Sequence, residues 1–244
     1  GYVFRLNAEG YLLLGIPLTI LFQLLIAKQP IYKLWVRDEE KFSLSPTACL
    51  IAFGFMILPV YKIIHSFEEG TSSFVSLGCN IATMLGAIAA GFAFTRLNKK
   101  TIKQLFACLG IVLIIKGISF AIILIWVKPG DHPDYMQSIT SLLTYIPIAF
   151  IVEEVVFRGM LDSYIHTPQN KIGIWSVIFI SALWALWHLP LSTSNESIPF
   201  IVIASIINTG IWGVVLSIFW RRSGNLAVPV FSHAFVDAIR DGLM

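Results

Sequence analysis

Long apolar runs that recur along almost the whole chain constrain its fold more than any other feature. They fall at about 11–27, 45–65, 72–95, 105–127, 138–160, 172–190, 198–220 and 225–241. A helix needs roughly 20 predominantly apolar residues to cross a bilayer, so the sequence predicts an all-α, polytopic membrane helix bundle with about eight transmembrane helices. With 57% hydrophobic and only 13% charged residues among 244, the chain lacks the polar surface of a soluble domain. The intervening segments, KQPIYKLWVRDEEK, TRLNKKTIK, KPGDHPD, HTPQNK, STSNES and RRSGN, have turn composition, and a short acidic break, HSFEEGTS, follows the second run.

A net charge of +3 spread over loops excludes nucleic acid as a partner and points to membrane lipids instead. Lys28, Lys33, Arg37 and Lys41 follow the first run, Arg96, Lys99, Lys100 and Lys103 the third, and Arg221 and Arg222 the seventh. The positive-inside rule then predicts that odd-numbered loops face the cytoplasm and both termini the far side. The first run is too long for a signal peptide core and is followed by Lys28, so it is expected to be retained. Gly1 in place of an initiator Met is expected to reflect a trimmed start. Cys49, Cys79 and Cys108 sit in three different apolar runs without metal-ligand spacing and are expected to be small packing residues. A single integral membrane domain over 1–244 is expected, with about 1–137 supporting and about 138–241 carrying the chemistry.

Ionisable groups inside hydrocarbon are costly, so each is a candidate functional group. AFIVEEVVFRGM places Glu153, Glu154 and Arg158 in one apolar helix. Arg158 stands four residues after Glu154 and on its face, which predicts an ion pair; Glu153 points elsewhere and is left for acid–base work. Such a pair is equally compatible with a purely structural role. SALWALWHLP sets Trp184 and His188 four apart, and VFSHAFVDAIR does the same for His233 and Asp237. Two imidazoles and a carboxylate can activate water and stabilise an oxyanion, or bind zinc. Lys116, in the fourth run, belongs to no motif and is expected to be structural; Asn80, Asn208 and Thr209 are expected to bond between helices.

EEVVFRG, WALWH and HAFVD, in that order on separate helices, resemble the CPBP family, which comprises type II CAAX prenyl endopeptidases and the bacteriocin-processing and self-immunity (ABI) proteins. The likeness spans about 138–241. Trp184 replaces the commoner Phe, and Asp237 replaces the commoner Asn. The resemblance implies an intramembrane endopeptidase in which Glu153 activates the attacking water, helped by His188. It places His233 and Asp237 on the oxyanion side and gives Glu154 and Arg158 a supporting role. Trp184 and Phe157 are expected to contact the substrate.

A peptide or protein substrate, lipidated or not, is implied, as is a prokaryotic plasma membrane; a prenylated C-terminus, a Gly-Gly leader and a signalling propeptide all fit. No cofactor is expected. Without an HExxH motif a metal-free mechanism is favoured, and a zinc enzyme would take Glu153, His188 and His233 as ligands. There is no GxSG for a serine nucleophile, and PGD at 129–131 lacks the GxGD of aspartyl enzymes. The competing reading is a non-catalytic bundle, an immunity or transport protein, with buried polar pairs but no need to bring Glu153 and His188 to one water.

Overall fold

The computed structural model describes residues 8–71, 73–126, 134–166, 173–191 and 197–243. Gly1, most of the KPGDHPD, HTPQNK and STSNES segments, and PGD at 129–131 lie outside them. The described residues form eight helical segments: α1 (Gly10–Ile26), α2 (Pro46–Glu68), α3 (Phe74–Phe94), α4 (Lys99–Trp126), α5 (Tyr135–Ile165), α6 (Ile174–Trp187), α7 (Ile198–Ser223) and α8 (Ala227–Leu243). Five of these, α2 to α5 and α7, are long and apolar enough to cross a membrane; α1 and α6 are shorter apolar helices. The chain is thus an all-α integral membrane protein. The expected helix count holds, with α4 beginning several residues earlier than its apolar run and α5 extending beyond it at both ends.

Local chemistry sets several of the boundaries. Ser45 accepts from the Ala48 N–H at 3.1 Å ahead of Pro46, and Ser73 accepts from Ser76 at 3.1 Å. Asp134 accepts from the Gln137 N–H at 2.9 Å and starts α5. Gly224, at φ 62°, ends α7 with the left-handed turn that a side chain would strain.

Small residues let the helices approach closely. Ala82, Gly86, Ala87, Ala89, Ala90 and Ala93 line the buried side of α3. A Cβ on Gly86 would collide with the Pro147 carbonyl of α5. The outer faces carry Leu50, Phe53, Ile57, Phe106, Ile114 and Trp175, as expected where the solvent is lipid. Cys108 is buried, but Cys49 is exposed, so the expectation of uniformly packed cysteines does not hold for it. Asn80 donates to the Ser76 carbonyl of its own helix at 2.9 Å rather than across helices, because its backbone neighbour lies within easier reach.

The link from α1 to α2 folds back across one end of the bundle. Arg37 N–H donates to the Gly224 carbonyl at 2.8 Å and Leu226 N–H to the Trp35 carbonyl at 2.8 Å, an isolated antiparallel bridge about Val36 and Asn225. Trp35 Nε1 donates to the Phe150 carbonyl at 3.2 Å, and Asn225 Nδ2 to that of Ala93 at 2.9 Å. The basic segments after α1, α3 and α7 therefore meet at this end.

Candidate active site

α5 changes its winding where its charges sit. Residues Ala149–Glu153 and Val155–Asp162 are π-helical, with i to i+5 bonding, a rare geometry enriched at functional sites. The wider turns place Glu153 and Glu154 where one imidazole can reach both. His233 of α8 sets Nδ1 2.8 Å from Glu154 Oε1 and Nε2 3.7 Å from Glu153 Oε2. Glu153, expected to point away from the Glu154–Arg158 pair toward another neighbour or a cavity, lines a cavity, and His233 stands between it and that pair.

The expected Glu154–Arg158 pair forms. Arg158 Nη1 donates to Glu154 Oε1 at 3.0 Å, Nη2 to the Gly213 carbonyl at 3.1 Å, and the guanidinium lies 4.3 Å from the centre of a Trp184 ring. Both charged side chains are fully buried. Gly213 is required beside them: a Cβ there would stand 2.8 Å from Trp184 and 3.1 Å from Arg158.

His188 closes α6. Its Nδ1 lies 2.8 Å from the Trp184 carbonyl, and a carbonyl can only accept, so Nδ1 carries the proton. Nε2 is then left facing Glu153 Oε2 at 3.7 Å. Glu153 thus stands equally far from an Nε2 of α6 and one of α8. That gap is too wide for a direct hydrogen bond, and Glu153 Oε2 is buried without a hydrogen-bond partner among the described residues. His233 Nε2 is also 3.1 Å from Asp237 Oδ2 on the next turn of α8.

These groups line a cavity of about 320 Å³, walled by Glu153, Trp184, His188, His233 and Asp237 together with Lys116, Tyr145, Asn208, Thr209, Trp212, Val236 and Arg240. The carboxylates of Glu153, Glu154 and Asp237 and the side chains of Lys116, Arg158 and Arg240 meet about this cavity, with Asp241 behind Arg240. The expected set Glu153, Glu154, Arg158, His188, His233 and Asp237 is brought together in one place.

One expectation needs correction and another needs extension. Phe157 is buried and packs edge-on against Trp187 with ring centroids 5.8 Å apart; it does not line the cavity, because the turn carrying it faces the core. For Lys116 the structural expectation is incomplete rather than overturned: it bonds across helices, donating to Asn208 Oδ1 at 3.0 Å and its carbonyl at 3.1 Å, 5.0 Å from the Trp212 ring, and it also lines the cavity. Asn208 bonds across helices as expected, and Thr209 lines the cavity. Trp184 also lines it, wedged edge-on between His188 and His233 with ring centroids 5.3 Å from each. Sequence reasoning missed Tyr145, Trp212 and Arg240. Only Arg240, three residues after Asp237, carried a local signal.

The residues as they stand do not fit a zinc ion. No group of three or more His, Cys, Asp or Glu side chains among the described residues is arranged to hold a metal. His233, one of the three supposed ligands, already meets carboxylate oxygens through both ring nitrogens.

Fold and site together define a polytopic helical membrane protein with carboxylate, imidazole and guanidinium groups gathered about a polar cavity. Residues 135–239 match the family model described as type II CAAX prenyl endopeptidase Rce1-like. The match bears out the CPBP resemblance, and with it the likeness of this part of the chain to CAAX-type intramembrane proteases. The chain matches no curated protein and no solved structure.

Proposed function

We propose that the chain is an intramembrane endopeptidase that hydrolyses a peptide bond in a membrane-associated peptide or protein, with Glu153 as general base. The observation that carries this reading is the position of Glu153 Oε2, 3.7 Å from both His188 Nε2 and His233 Nε2 at the wall of a polar cavity. In this scheme a water admitted from the cavity beside Glu153 hydrogen-bonds to its carboxylate and to Nε2 of His188, which is left as an acceptor when Nδ1 carries the proton. Glu153 takes one of its protons as the water oxygen attacks the scissile carbonyl carbon. The oxyanion that forms is stabilised by the donors of the cavity wall, to which Lys116 contributes. Collapse of this intermediate breaks the C–N bond, and Glu153 returns the proton to the leaving amine. No cofactor enters this scheme. Glu154 and Arg158 orient His233 and Trp184 from below.

A prokaryotic plasma membrane and a peptide precursor as substrate complete the reading; lipidation of that substrate fits an entry route through the bilayer. Comparing the peptide termini released by cells carrying the native chain or Glu153→Gln tests it. The variant should insert and melt like the native protein while every native-specific terminus disappears. Equal sets of termini would leave a non-catalytic bundle.

A further inference from the structure

Asp237 places a carboxylate where the family more often has an amide, beside the spot where an oxyanion would form. The second oxygen of that carboxylate has a partner that the motif does not contain. We infer that Arg240 and Asp241 are positioning residues of this site: Arg240, held in place by Asp241, neutralises Asp237 and fixes it against His233. The inference rests on the protease reading above and concerns two residues beyond the matched segment 135–239.

The contacts form an unbroken series. Asp237 uses Oδ2 toward His233 Nε2 at 3.1 Å and Oδ1 to accept from Arg240 Nη1 at 2.9 Å. Arg240 turns its other donors to Asp241 Oδ1, Nε at 3.1 Å and Nη2 at 2.9 Å. Asp241 Oδ2 in turn accepts from Tyr145 Oη at 2.7 Å and Ser141 Oγ at 2.9 Å, both on α5. α5 is the helix that carries Glu153, so the series ties the two halves of the site together through side chains. Asp237 and Asp241 are four residues apart on one helix face and each is only 17% exposed, so their charges repel unless a cation stands between them. Arg240 stands there. Remove it, and Asp237 loses its ion-pair partner and is free to turn into the cavity and to release His233.

That dependence exists only because residue 237 is charged. The test is therefore a double-mutant cycle on the full chain in liposomes, with native protein, Arg240→Ala, Asp237→Asn and the double variant. Two quantities are read: the rate at which Glu153-dependent termini are released, and the melting temperature in detergent. Arg240→Ala should slow release about tenfold when Asp237 is intact, and by less than about threefold when it is made in the Asp237→Asn chain. The melting temperature should fall further on adding Arg240→Ala to the native chain than on adding it to Asp237→Asn, where only the contact to Asp241 is lost. A simple folding defect would lower both backgrounds alike, and that result, or a native rate for Arg240→Ala, overturns the inference. If no terminus depends on Glu153, the protease reading fails on its own, and the melting cycle still decides whether Arg240 serves Asp237.

Discussion

Two carboxylates buried on α5, Glu154 and Asp162, stand eight residues apart. Each is paired with an arginine, one from α5 itself and one from α7, and the two pairs are built to different ends. Asp162 and Arg221 form a closed unit. Arg221 Nε donates to both carboxylate oxygens at 3.0 and 3.1 Å, and its remaining donors reach the Gly173 carbonyl at 3.0 Å and Ser176 Oγ at 2.9 Å. Glu154 and Arg158 are as deeply buried but less fully used. Glu154 Oε1 is divided between Arg158 and His233, while Glu154 Oε2 and Arg158 Nε meet no hydrogen-bond partner among the described residues. Buried polar groups left short of partners are costly and concentrate where a protein does chemistry. The comparison teaches that burial of an ion pair does not reveal its role; spare bonding capacity beside a cavity does.

Removing one arginine from each pair separates the two roles. Arg158→Ala should have the largest effect, about 3–5 kcal/mol of stability, because Glu154 is left charged and unpaired inside the bundle. Denaturation in detergent would show the loss, and cleavage should vanish with it as His233 loses its seat. An unchanged melting temperature would break the comparison. Arg221→Ala should cost somewhat less, about 3 kcal/mol, since Asp162 lies nearer the end of the bundle. Cleavage per folded molecule should stay within about threefold of native, a margin typical of distant, uncoupled sites. Loss of activity equal to that of Arg158→Ala would mean that both pairs serve the site. Gly213→Ala is the mildest change, at about 1–3 kcal/mol for an overpacked contact. It presses on Trp184 and Arg158 together, so its cleavage defect should exceed its stability defect when both are measured on the same preparation.

Much of this architecture is legible in the sequence because hydrocarbon is an unforgiving solvent. Apolar length marks the helices, and any charge within them stands out, which is how Glu153, Glu154, Arg158, His188, His233 and Asp237 can be found together. What the sequence hides is set by long-range contacts. Tyr145 and Trp212 are ordinary aromatic residues until α5 and α7 bring them to the cavity wall. Lys116 is visible as a costly charge, but its direction depends on Asn208, ninety-two positions away. Phe157 is misread because it adjoins the motif, whereas helical facing, not adjacency, decides what a side chain touches. The π turns of α5 have no sequence signature, yet they run through the segment whose two glutamates His233 meets.

The α1–α2 link that lies across the basic end of the bundle has a consequence for traffic. Between that end and Glu153 stand Trp220, the Asp162–Arg221 unit, Arg158 and Trp184, all buried. Under the proposed function, a polypeptide threaded from face to face would run into this buried layer. Both fragments would then have to leave by the mouth through which the substrate entered, and the order of their departure would become part of the turnover cycle.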